Sequence, residues 1–139
     1  ISLLQKDEFN LLILGGPEEE ERLVNLEKKY GFLINTGSDN SLMEFAAILD
    51  LCGVIVTADT LALHIATALE KKIVALFGPT SSNEIDLFGK GIKITAKEKC
   101  ECYYNRFCSQ DVSCMEKISG EEVYKSLKSL IDDRADLDL

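Results

Sequence analysis

The chain has 139 residues, 46% of them hydrophobic and only two of them proline, which is enough apolar material for one layered domain and argues against disorder through most of the length. Its net charge of −9, from 24 acidic and 15 basic residues, repels nucleic acid and anionic membranes on average. Polyanionic partners are therefore excluded, whereas a phosphate held by a helix N-terminus is not, and no apolar run approaches the roughly 18 residues of a membrane span.

In chain order, "NLLILGG" (10–16) reads as a short buried strand ending in a glycine turn. "PEEEERLVNLEKKYG" follows, with Pro17 suited to a first helical turn, glutamates at the start and Lys28 and Lys29 at the end, as the helix macrodipole favours. Leu23, Leu26 and Tyr30 give that helix its buried stripe. "FLIN" (32–35) predicts a second strand, and "SLME" places Ser41 and Glu44 at capping-box spacing before a helix through "FAAILDLCG". "GVIVTA" (53–58) is a third strand, Thr60 to Leu69 a helix, and "KIVALF" (72–77) a fourth strand. "SSNEIDLFG" holds one short helix, with Ser81 and Glu84 again three apart, and "GIKI" is a fifth strand. A cysteine-rich loop, 96–118, precedes a last helix, 119–131, with Ser119 and Glu122 as its cap and Val123, Leu127 and Leu130 or Ile131 as its packing stripe.

Short apolar strands alternating with amphipathic helices predict an α/β, Rossmann-like three-layer domain around a mainly parallel sheet. Ligands of such sheets bind outside the carboxyl ends of the strands, so the polar clusters there are the candidate site: Gly15 to Glu19, Asn35 to Gly37, Thr57 to Thr60 and Gly78 to Ser82. Asp59 or Thr60 fits two roles, a plain helix cap or part of an anion site with the Thr60 hydroxyl as an extra donor. His64, the only histidine, lies one turn further along the same face, and either donates to phosphate or makes a buried hydrogen bond. By itself it is no metal ligand. "FGPTSS" (77–82) either presents backbone N–H groups to a phosphate or is an ordinary connection. "LGGPEEEE" lacks both G-x-G-x-x-G and G-x-x-x-x-G-K, which disfavours dinucleotide and P-loop folds, and its glutamates are either a solvated first turn or a ribose contact. No lysine or arginine falls in these clusters, although a diphosphate calls for positive charge.

"TADTLALHIATALEKKIVALFGPTSSNE", with "LLILGGPEE" and "TGSDNSLMEFAAIL" upstream, resembles the heptosyltransferase family, glycosyltransferase family 9, over nearly the whole chain. Asp59, Thr60, His64, Ala66, Ala68, Leu76, Phe77, Gly78, Pro79 and Thr80 fall on the family pattern. The resemblance implies a two-domain GT-B enzyme, of which residues 1–139 are the C-terminal, nucleotide-sugar-binding domain. Such enzymes move heptose from ADP-heptose to the lipopolysaccharide inner core. The implied donor contacts are Asp59 and Thr60 with Leu61, His64, Gly78, Pro79 and Thr80 for diphosphate and sugar, Ser41, Leu42 and Glu44 for adenosine, and Glu18 or Glu19 for ribose. The acceptor-side aspartate would belong to an N-terminal domain and the phosphate-binding lysine would precede Ile1, so residues 1–139 alone are expected to be inactive, with no catalytic residue, cofactor or metal of their own. Implied partners are a nucleotide-sugar donor, that acceptor domain and a lipid-linked saccharide acceptor, with no nucleic acid; the implied location is cytoplasmic, peripheral to the inner membrane. Leu61 departs from the pattern, where the family has glycine, whose missing side chain lets a backbone N–H approach the donor.

Two other classes compete. A non-catalytic Rossmann-like binding or structural domain would use the polar clusters as caps and turns. A flavodoxin-like module is disfavoured by the lack of an acidic first-turn pocket and of an aromatic pair for flavin. Cys100, Cys102, Cys108 and Cys114 form C-x-C-x5-C-x5-C, a strained start for a tetrahedral zinc site, leaving metal, disulfides and free thiols open, while Cys52 stands apart.

Overall fold

The computed structural model describes residues 1–7, 9–96 and 111–132. They fall into two units, Ile1–Ala47 and Ile48–Leu139, and the division lies within one helix.

The first unit begins with a 3-10 turn, Ser2–Lys6, and strand β1, Leu11–Ile13. Pro17–Glu19 is a 3-10 turn of its own, and the helix proper, α1, runs Glu20–Lys29. The sequence placed Pro17 inside the helix; the chain instead tightens because Gly16 is extended, the Glu19 N–H bonds the Gly16 carbonyl at 2.9 Å, and the Glu19 carboxylate takes the Gly16 N–H at 2.7 Å. α1 keeps the expected charge order, Glu20 and Glu21 first and Lys28 and Lys29 last, and packs on strand β2, Leu33–Asn35, burying Leu23. β1 and β2 pair in parallel, from Leu11 opposite Leu33 to Ile13 opposite Asn35. The unit ends in helix α2, Leu42–Leu51, which continues into the second unit.

The second unit holds a three-stranded parallel sheet in the order β3 (Val54–Ala58), β4 (Lys72–Phe77), β5 (Gly91–Thr95). β4 is central, and its consecutive residues Ile73, Val74 and Ala75 are buried, as a strand covered on both faces requires. Helix α3, Leu61–Ala68, packs on β3 and β4 through Leu63 and Ala66, both fully buried. Helix α4, Gly120–Asp132, packs on all three strands and buries Leu127 and Leu130. α3 ends on Glu70 at φ 56°, with the Lys71 N–H on the Ala66 carbonyl and the Glu70 N–H on the Thr67 carbonyl, both 3.0 Å, a cap that normally takes glycine.

All described strand pairs are parallel and alternate with helices, which is the Rossmann-like α/β architecture expected. The expected single sheet is seen as two, β1–β2 and β3–β4–β5, one in each unit. Of the cysteine-rich loop, residues 97–110, with Cys100, Cys102 and Cys108, lie outside the described residues. Cys114 is buried. No described helix is long and apolar enough to cross a membrane.

Candidate functional site

Strand carboxyl ends carry polar residues in both units, and the two sets behave differently. In the first unit most of the singled-out groups are already engaged. Glu19 closes the Gly16 turn, which leaves Glu18 exposed and without a hydrogen bond to the described residues. Ser41 and Glu44 form the capping box their spacing predicted: the Ser41 N–H reaches the Glu44 carboxylate at 2.9 Å, the Ser41 hydroxyl donates to it at 2.6 Å, and the Glu44 N–H returns to that hydroxyl at 3.4 Å. The hydroxyl first, and then the backbone N–H of Ser41, hold the Glu44 carboxyl below its ordinary range. Leu42 and Met43 beside them are exposed apolar surface.

The first unit also holds a cleft of about 330 Å³, of which the sequence singled out only the Asn35–Gly37 edge. Leu23 and Val24 of α1 form an apolar wall, and Asn35, Ser38, Asp39 and Asn40 a polar one. The loop is set by its own side chains. The Asn35 side-chain Oδ1 accepts from the Gly37 N–H at 3.1 Å, and the Asn40 side-chain amide donates to the Thr36 and Gly37 backbone carbonyls, both at 3.2 Å. Gly37 takes φ 82°, where a side chain would be strained. None of Glu18, Glu19, Ser41, Leu42 and Glu44 lines this cleft. The Asn35–Gly37 cluster was the available signal for it.

In the second unit, β3 ends in Thr57 and Ala58, and α3 starts one residue after Thr60. Thr60 sits at the cap position in extended conformation, φ −142° and ψ 178°, yet its side chain makes no capping bond. Its hydroxyl lies 3.2 Å from that of Thr57 instead. A cap function for Thr60 is thus not realised by its side chain, and the first-turn N–H groups of α3 are not capped by it. His64 Nε2 lies 3.9 Å from Asp59 Oδ1, and its side chain is 63% exposed, so the buried-hydrogen-bond reading of His64 gives way to a solvent-facing imidazole. Leu61, first residue of α3, is 59% exposed.

Gly78, Pro79 and Thr80 follow β4 directly and are half-buried. Lys93 on β5 donates through Nζ to the Ser82 carbonyl at 2.8 Å and to the Ile85 carbonyl. A cation therefore stands against this strand-end loop, which the sequence clusters alone did not suggest, because Lys93 arrives from the neighbouring strand. Within this unit the fold places Asp59, Thr60, Leu61 and His64 along the entry to α3, and Gly78 to Thr80 at the end of the adjacent strand β4. Among the described residues, no group of three or more His, Cys, Asp or Glu is arranged to hold a metal ion.

Residues 1–115 match the profile of Glycosyltransferase family 9 (heptosyltransferase). Among solved structures, the chain is similar to a glycosyl transferase family 9 protein from Veillonella parvula DSM 2008, with a TM-score of 0.78 and 21% identity over 94% of this chain and 39% of that one. It is also similar to E. coli ADP-heptose lps heptosyltransferase II, with a TM-score of 0.73 and 20% identity over 96% of this chain and 40% of that one. A third likeness, at 0.70 and 19%, is to an E. coli heptosyltransferase solved with ADP, over 93% of this chain and 36% of that one. At these identities the structural likeness is one of fold. The chain spans between 36% and 40% of the length of these three structures. No curated protein matches it.

Proposed function

The chain belongs to glycosyltransferase family 9, the heptosyltransferase family, and from that membership we propose that residues 1–139 are the C-terminal, nucleotide-sugar-binding half of a GT-B glycosyltransferase. The donor is ADP-heptose or a related nucleotide sugar, and the complete enzyme transfers heptose to the lipopolysaccharide inner core. The observation that carries the reading is the start of α3. Thr60 holds the cap position without capping, so first-turn N–H groups remain for an anion, with the exposed His64 one turn further on. Asp59, close to His64, orients that imidazole or meets a sugar hydroxyl; a carboxylate facing phosphate directly would repel it.

The chemistry of the complete enzyme is inversion at the anomeric carbon. A base on the acceptor domain activates the acceptor hydroxyl, while the α3 entry and the Gly78–Thr80 loop stabilise charge on the departing diphosphate. Residues 1–139 by themselves bind and do not catalyse, and the enzyme works in the cytoplasm at the inner membrane. On the first unit, Glu18 is the free acid for a ribose contact and Leu42 the exposed apolar residue for adenosine, since Glu19, Ser41 and Glu44 are engaged in caps. Those caps favour the rival reading, a non-catalytic domain, for that unit alone.

Calorimetric titration of the intact protein with ADP, UDP and GDP tests the proposal. Saturable binding of ADP in preference to the others is the expected result, weakened roughly tenfold or more by Thr60→Ala, which loses a charge-assisted hydrogen bond worth about that much, and less by Asp59→Ala, which acts through His64. Absence of nucleotide binding by the intact protein would sink the donor reading.

A further inference from the structure

Gly78 is glycine for a reason that lies far along the chain. A Cβ at this position would stand 2.6 Å from Met115 Sδ, 2.8 Å from Met115 Cγ and 2.9 Å from Cys114 Sγ, all well inside the roughly 3.5–4.0 Å of a comfortable contact. Its backbone makes no such demand, because the described glycines at positive φ are Gly37 and Gly89. The glycine answers to the sulfur atoms packed on it.

Those sulfurs are held firmly. The Ser113 N–H bonds the Glu116 carboxylate at 2.9 Å, and the Glu116 N–H returns to the Ser113 hydroxyl at 3.3 Å, a reciprocal cap around Cys114 and Met115. The Lys117 N–H reaches the Cys114 carbonyl at 3.3 Å and the Ile118 N–H the Met115 carbonyl at 3.2 Å. The turn then runs into Ser119, whose hydroxyl accepts from the Glu121 N–H at 3.2 Å and opens α4. Since α4 packs on β3, β4 and β5, Met115 is tied to the same sheet that carries the loop it touches. Further along, Lys93 fastens the Ser82 and Ile85 carbonyls. Pro79 and Thr80 lie between these two fastenings, and the Ser81 carbonyl accepts from the Glu84 N–H at 3.3 Å.

We propose that the Cys114–Met115 turn is the positioning element of the loop after β4, with Met115 as a positioning residue that sets where Pro79 and Thr80 stand and thereby the affinity for a nucleoside diphosphate. This rests on the reading that the loop faces the donor diphosphate. Met115 touches no ligand; it acts through Gly78. Displacing the loop by an ångström is enough to lower affinity, because donors to a phosphate must be placed to within a fraction of that distance.

The test uses the intact protein and four variants, Gly78→Ala, Met115→Ala, the double substitution and Met115→Leu, with ADP titration, thermal melting and amide hydrogen exchange of residues 80–82. Gly78→Ala is expected to weaken ADP roughly tenfold and to speed exchange in the loop, since the added methyl forces Met115 and the loop apart. Met115→Ala leaves the loop unsupported and also weakens ADP. The double substitution removes the two Met115 clashes and leaves only the 2.9 Å approach to Cys114 Sγ, so it recovers part of the affinity lost in Gly78→Ala, a coupling that a melting effect alone does not produce. Met115→Leu, close in volume, stays near the parent and keeps the proposal testable should the alanine variants fold poorly. A double variant no better than Gly78→Ala overturns the proposal, as do variants that all bind and exchange like the parent. A parent protein that does not bind ADP sinks the donor reading, and the exchange data then decide the positioning claim by themselves.

Discussion

Replacing Leu61 by glycine separates what this residue does for the helix from what it does at the helix entry. Leu61 is the first residue of α3 and is 59% exposed, so less than half of its apolar surface is lost from the fold. With about 1.5–3 kcal/mol for a fully buried leucine, that loss is about 1 kcal/mol. Glycine in place of leucine adds somewhat under about 1 kcal/mol of helix propensity, less at a first position than inside the helix. The intact protein should therefore lose about 1–2 kcal/mol of stability and remain folded. Against this, an unobstructed backbone N–H on a diphosphate oxygen is a hydrogen bond to a charged group, worth about 1.5–3 kcal/mol. ADP affinity should rise roughly tenfold or more, at 1.4 kcal/mol per tenfold. Leu61→Ala, which keeps Cβ alone, should fall between the two. Titration calorimetry with ADP and urea unfolding of the same samples read both numbers. Lower stability with unchanged or weaker ADP binding would refute the reasoning, since it would mean that the leucine obstructs nothing and that the α3 entry is not the anion site.

Other substitutions test the fold around the site. Ser41→Ala removes the hydroxyl from the capping box and should cost about 1 kcal/mol at neutral pH, read by urea unfolding. Because Ser41 holds the Glu44 pKa below its ordinary value, the part of the cap made to the carboxylate is present above the usual carboxylate range and is lost as the pH falls through and below it, so the gap between wild type and variant should narrow in acid while the Glu44 N–H bond to the Ser41 hydroxyl remains. Leu63→Ala empties a fully buried position between α3 and the sheet and should cost about 2–5 kcal/mol, seen in the same unfolding curves. Glu70→Gly relieves the positive φ at the end of α3 and should raise the melting temperature by about a few degrees in scanning calorimetry, despite losing the exposed ion pair with Lys90.

The elements of this fold were legible because their signals are local. Valine- and isoleucine-rich runs gave β3 and β4, the glutamate-to-lysine gradient gave α1, and the Ser41–Glu44 spacing gave the cap of α2. Where the signal was degenerate, the structure had to decide. Four consecutive glutamates hide which one turns back to Gly16, and only the geometry assigns that role to Glu19. What stayed illegible is non-local. Nothing near Gly78 announces Met115, and nothing near Ser82 announces Lys93, because each partner is brought in by a separate element of the sheet layer. The exposure of His64 was equally beyond reach, since a helical face can turn inward or outward with the same four-residue spacing.

The paired threonines at the end of β3 have a consequence for selection among ligands. The Thr57 hydroxyl reaches the Ala58 carbonyl at 3.1 Å and the Thr60 hydroxyl at 3.2 Å; whenever its proton goes to the carbonyl, the bond across the gap is donated by Thr60. Thr60 can then donate to an incoming acceptor only by letting go of Thr57. A neutral carbonyl or hydroxyl offers no more than the bond given up, whereas a charged phosphate oxygen offers roughly twice as much. The pair thus works as a threshold: weak acceptors leave the Thr60 rotor where it is, and only an anion turns it outward.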